Sequence, residues 1–77
     1  METKYKGHVI QSMAPRANPY SRWHVKIIVS WTEGPTNEIR QFDGPNAGFA
    51  TKQEAEVWGI EFGKKWINDG KPDLHKR

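Results

Sequence analysis

Three histidines, nine carboxylates and a few serines are the side chains of this 77-residue chain with the means to do chemistry. His8 and His24 would face each other if their strands paired, as two ligands of a metal ion do, but no third ligand stands at a recognisable spacing, so surface histidines are expected. Ser12, Ser21 and Ser30 lack a G-x-S-x-G turn that would present a nucleophile. Glu54, Glu56 and Glu61 fall off the apolar side of the one clear helix, where a carboxylate stays solvated rather than tuned for acid or base work. The segment Gly44-Pro45-Asn46-Ala47-Gly48 lacks the Lys-Ser/Thr pair and the preceding parallel strand of a phosphate loop. The expectation is a chain that is not an enzyme and needs neither metal nor cofactor.

What remains is positive charge. The half of the chain before Thr51 holds six Lys or Arg (Lys4, Lys6, Arg16, Arg22, Lys26, Arg40) against four acids, and the helix half is nearly balanced. Gathered on one surface, such side chains make a phosphate-facing patch; alternating along strands, they merely keep the outside of a sheet in water. Which of the two holds depends on the elements that carry them.

The helix is the best defined of these. Thr51-Lys52-Gln53-Glu54 spells a capping box, so a helix should run over about 52–68. At 100° per residue Ala55, Gly59, Phe62 and Trp66 form a stripe flanked by Trp58 and Gly63, while Val57, Glu61, Lys64 and Asn68 point away. Glycine inside a helix costs about 1 kcal/mol against alanine, so two of them in the stripe predict close approach to a flat partner, a sheet. Asp69-Gly70-Lys71-Pro72 then stops the helix.

Upstream, Trp23 to Thr32 alternates strictly, with Trp23, Val25, Ile27, Val29 and Trp31 on one face and His24, Lys26, Ile28, Ser30 and Thr32 on the other. A strand over about 23–32 follows. Glu33-Gly34-Pro35-Thr36 turns the chain into a second strand over about 37–42, and a further strand spans about 4–12. Residues 13–22, with Pro15 and Pro19, form a loop in which Arg16, Tyr20 and Arg22 are exposed. The fold class expected is α+β: a three-stranded antiparallel meander with one C-terminal helix packed on one face. Trp31 and Trp58 are expected in the core, with a stacking or protein-binding platform as the sharper alternative. The free face should carry Lys6, His8, His24, Lys26, Ile28 and Arg40, although a change of register turns Arg40 and Phe42 inward.

The length suits one small domain, ordered over about 4–70 with a flexible tail at 71–77. Without cysteine, no disulfide or cysteine-held zinc can staple it, and four Trp, three Phe and two Tyr must supply the core. No apolar run approaches a membrane span and the N-terminal stretch METKYKGH lacks the apolar centre of a signal peptide, so a cytoplasmic protein of a microbe is expected.

Phe49, Thr51, Glu54 and Ala55, opening a helix after three strands, resemble the F-x-T-x-x-E-A phrase of the plant AP2 type and integrase N-terminal arm-binding DNA modules, and of small bacterial families of similar architecture. The residue-level likeness is confined to this helix start. It implies DNA or RNA binding through the sheet face, here by Lys6, His8, Arg16, Arg22, His24, Lys26 and Arg40, although this chain has fewer arginines than those modules. The alternative is a protein-interaction or self-associating domain that uses an open strand edge or exposed Ile10 and Ile28.

Overall fold

The computed structural model describes residues 1–16 and 18–72. Four strands, β1 (Glu2–Tyr5), β2 (His8–Met13), β3 (Lys26–Glu33) and β4 (Thr36–Asp43), form one antiparallel sheet in the order β1-β2-β3-β4, and a single helix α1 (Lys52–Asn68) crosses one face. The architecture is the expected α+β meander with one strand more. The extra strand arises because Lys6 (φ 49°) and Gly7 (φ 77°) both take positive φ, as a two-residue type I′ turn requires, and fold residues 2–13 into a hairpin instead of one long strand.

The helix begins as its sequence dictates. Thr51 Oγ1 accepts from the Glu54 N–H at 3.1 Å and Glu54 Oε1 accepts from the Thr51 N–H at 3.3 Å. Its buried side consists of Ala55, Gly59, Ile60, Gly63, Trp66 and Ile67, with Trp58 and Phe62 partly covered. The buried arc is therefore centred nearer Gly59 and Gly63 than the predicted stripe, and it takes in Ile60 and Ile67, because the two glycines form the line of contact. A Cβ on Gly63 would lie 2.7 Å from Ile10 Cγ2, and one on Gly59 would fall onto the Ser12 hydroxyl. Both neighbours belong to β2, so the helix backbone lies directly over that strand.

The phase of β2 follows from this seating. Its residues alternate, and Ile10 and Ser12, opposite Val29 and Ile27, turn to the helix and are fully buried. Ile10 is thus core and not an exposed contact, and His8 turns to the same side. Val25, Ile27, Val29 and Trp31 are buried as predicted. Trp23, placed in the strand by its alternation, lies outside β3 and pairs in an isolated bridge with Phe49. Arg40 and Phe42, opposite Val29 and Ile27, also face the helix side.

Beside α1 a chain of rings continues the core. Trp58 stacks on Phe62 at 5.3 Å between centroids, Phe42 meets Phe62 at 5.1 Å and Trp66 at 4.9 Å, and Trp31 meets Trp66 at 5.9 Å. Aromatic pairs at these separations add modest specific energy to a large buried area. Lys71, expected in a flexible tail, packs over Trp31 at 4.2 Å, and residues 73–77 of that tail lie outside the described residues. No helix is long and apolar enough to cross a membrane among the described residues.

Candidate functional site

The seven basic residues singled out in the sequence do not assemble on one face. Lys26 alone of them stands on the sheet face away from the helix, between Met13 and Asp43. Lys6 occupies the β1–β2 turn, and its Nζ donates to Asn68 Oδ1 at 2.7 Å. Arg16 stacks on Trp23, 4.0 Å from the ring centroid. Arg22 donates to the carbonyls of Ala47 at 2.7 Å and Gly48 at 3.4 Å, fastening the loop before the helix. His24 is exposed beyond the end of β3, and its N–H donates to Pro15 O. Arg40 is half-buried on the helix side of β4. His8 and His24 do not meet across strands, since the residue opposite His8 is Trp31.

The face away from the helix carries a different chemistry. Lys4 and Lys26 are matched there by Glu2 and Asp43, and the rest is Val9, Gln11, Met13, Ile28, Ser30, Thr32, Asn37, Ile39 and Gln41. Two cations against two carboxylates bring the described strand residues of this face to charge balance. Of its apolar members, Val9 and Ile39 stand in one cross-strand row on either side of Ser30, Ile28 sits in the next row and Met13 in the row after that, with Ile39 67% exposed.

The two edges of the sheet also differ. β1 has four residues, one of them Lys4, and is tied to the helix by the Tyr5 hydroxyl donating to Asn68 Oδ1 at 3.0 Å. Short length, a lysine and a covering element are the usual protections of an edge. β4 has eight residues, with neither Pro nor Lys, and pairs with β3 at every position without a bulge. The helix reaches it through Phe42, which meets Phe62 and Trp66. Among the described residues no backbone group hydrogen-bonds to the outer side of β4. An antiparallel ladder turns alternate residues outward, so about four of the eight present N–H and C=O groups to solvent.

One basic cluster does form, at the other end of the molecule, and alternation along strands could not disclose it. Lys6 and Lys64 each lie 5.5 Å from the Tyr5 ring centroid, and Lys71 Nζ contacts His8 Nε2 at 3.1 Å. His8 Nδ1 lies 2.7 Å from the Lys6 carbonyl, which only accepts, so Nδ1 carries the proton and Nε2 accepts from Lys71. Lys64 and Lys71 come from the helix and from the turn after it. The signal for Lys71 was Gly70-Lys71-Pro72, a turn whose two leading residues take positive φ (86° and 55°) and fold the lysine back over the sheet.

A cleft along the start of the helix, lined by Phe49, Thr51, Gln53, Glu54, Val57, Trp58 and Glu61, holds two titratable groups, and Glu54 is committed to the helix cap. Ser12 Oγ is fully buried under Gly59 with no hydrogen-bond partner among the described residues, out of reach of any substrate. No group of three or more His, Asp or Glu that could hold a metal ion occurs among the described residues. Compared with known proteins, the chain matches no family model, no curated protein and no solved structure.

Proposed function

We propose that this is a non-catalytic protein-interaction module which receives an extended segment of a partner along the outer side of β4, with the partner's apolar side chains set against Ile39 and the open face. The observation that carries this reading is the length and bareness of β4: eight regular residues at the sheet edge, beside a side chain as apolar and exposed as Ile39. Strand addition draws its affinity from main-chain hydrogen bonds and its selectivity from alternate side chains, and both halves of that requirement stand at this edge. Capture from a lysate of the source cells at about 0.5 M salt, where phosphate contacts are weakened, tests it. The chain should retain protein partners, Ile39→Lys should release them, and Lys6→Ala combined with Lys71→Ala should not.

A second reading, nucleic-acid binding, has one observation in its favour: Lys6, Lys64 and Lys71 converge with His8 and Tyr5 at the end of the helix. It keeps Lys6 and His8 from the sequence-based set and replaces the sheet face by that end of the molecule. Duplex DNA at about 50 mM salt should then shift the amide resonances of Lys6, His8, Lys64 and Lys71 and leave Ile28 and Ile39 unmoved. That outcome, together with no partner retained at high salt, overturns the protein reading.

A further inference from the structure

We infer that the partner at β4 is a second copy of this chain, paired antiparallel about a two-fold axis that is normal to the sheet and passes midway between the Ile39 residues of the two copies. The inference rests on the protein-interaction reading above and names its partner.

Symmetry limits the choices sharply. Residues directly opposite each other in an antiparallel pair share a face, and a two-fold axis normal to the sheet keeps the faces of both copies aligned. Residue 39−k of one copy must therefore face residue 39+k of the other, and only registers centred on a residue close into a dimer. Centring on Ile39 brings Ile39 against Ile39, Asn37 against Gln41 on the open face, and Glu38 against Arg40 twice on the helix side. Centring on Glu38 sets two carboxylates against each other, and centring on Arg40 sets two guanidinium groups together; like charges directly opposite destabilise a pair. Of the three central registers, one joins apolar to apolar, amide to amide and acid to base.

The surroundings permit it. Pro35 and Pro45, which have no N–H, flank β4 on either side and bound the segment that pairs. α1 lies over β2, so β2 and its symmetry mate stand five strand spacings apart, about 24 Å at ~4.8 Å each. Helices pack at about 8–10 Å, so the two do not collide. The product is a continuous eight-stranded sheet with both helices on one side and the Ile39 side chains meeting on the other. Its two outermost strands are both β1, the protected edge.

Sedimentation equilibrium from ~10 μM to ~1 mM, the range in which a small interface associates, tests this. The wild type should follow a monomer–dimer equilibrium, Glu38→Lys and Arg40→Glu should each weaken it by about tenfold or more, since each replaces two favourable pairs by two like-charge pairs, and the Glu38→Lys/Arg40→Glu double variant should regain the wild-type constant. Far-UV circular dichroism checks that the variants fold. Hydrogen exchange on the wild type needs no variant: alternate amides of β4 should slow as concentration rises and those of β1 should not. Wild type at monomer mass throughout, with β4 exchange independent of concentration, overturns the proposal, and so does a double variant no stronger than the single ones. If the monomeric chain still loses captured partners on Ile39→Lys, β4 remains an interaction edge and only the second copy is excluded.

Discussion

Ile27 and Ile28 are neighbours in β3 and the same side chain, yet Ile27 is sealed between sheet and helix while Ile28 lies half-covered on the far side, between Gln11 and Gln41. The contrast extends to the whole of the two faces. On the helix side Ile10, Ser12, Ile27 and Val29 have no exposed surface, and the backbone of Gly59 and Gly63 rests on the side chains of Ser12, Val25 and Ile10, so shape is constrained at the level of single atoms. On the other side hydrophobic, amide and charged residues alternate, and no helix or further strand rests on them among the described residues. The first face is determined by folding alone, and the second is where selection for a partner has room to act.

The largest effect that can break this contrast is overpacking. Gly59→Leu and Gly63→Leu should each cost about 3 kcal/mol or more, at the upper end for inserted bulk in a core, because the first collides with Ser12 and Val25 and the second with Ile10. Even alanine, which improves helix propensity by about 1 kcal/mol, should yield no gain at Gly63, where its Cβ would lie 2.7 Å from a branched methyl that has nowhere to move. Thermal melts that match the parent would mean the helix does not sit on β2.

The adjacent isoleucines sharpen it. Ile27→Ala should lose about 2–5 kcal/mol by leaving a cavity under the helix, whereas Ile28→Ala, measured in dilute solution where the chain is monomeric, should lose less than about 1 kcal/mol, as surface substitutions do. Urea denaturation of both variants reads the difference directly. Equal losses would show that something covers the open face even in the monomer.

These constraints explain which parts of the molecule were legible in the sequence. The helix was readable to the residue at both ends, because a capping box and a Gly-Lys-Pro stop are local chemistry. The alternation of β3 was equally plain. The phase of β2 was not: in His8-Val9-Ile10-Gln11-Ser12 both registers offer one aliphatic residue to the core, and the choice is made by Gly59 and Gly63, which need a serine and an isoleucine beneath them. The Lys6-Gly7 turn was missed because Lys is a poor residue for positive φ, and Gly7 alone reads as a bulge or an interruption. The basic residues were legible as a count but not as a site, since Lys64 and Lys71 reach His8 and Tyr5 only through the helix end and its turn. An open strand edge was expected from the meander, but that β4 and not the opposite edge is the bare one follows only from the short β1 and its tie to the helix.

The smallest effect concerns two serines and has the opposite sign on the buried face. Ser12 and Ser30 lie on opposite faces, Ser12 with its hydroxyl buried and without a partner among the described residues, Ser30 half-buried between Val9 and Ile39. An unsatisfied buried hydroxyl carries a desolvation cost of about 1–3 kcal/mol that alanine does not, while the atom removed also surrenders its packing contacts against Gly59. Ser12→Ala should therefore stabilise the protein by about 0.5–1 kcal/mol, and Ser30→Ala should stay within about 0.5 kcal/mol of the parent. The gain should be coupled to the helix above: Gly59→Ala should cost less in the Ser12→Ala background than alone, because the hydroxyl is the nearest atom its methyl would meet. A double-mutant cycle with no coupling, or a Ser12→Ala variant that melts well below the parent, would mean that an internal water or another acceptor holds the hydroxyl and that the helix stands farther from β2 than the glycine contacts require.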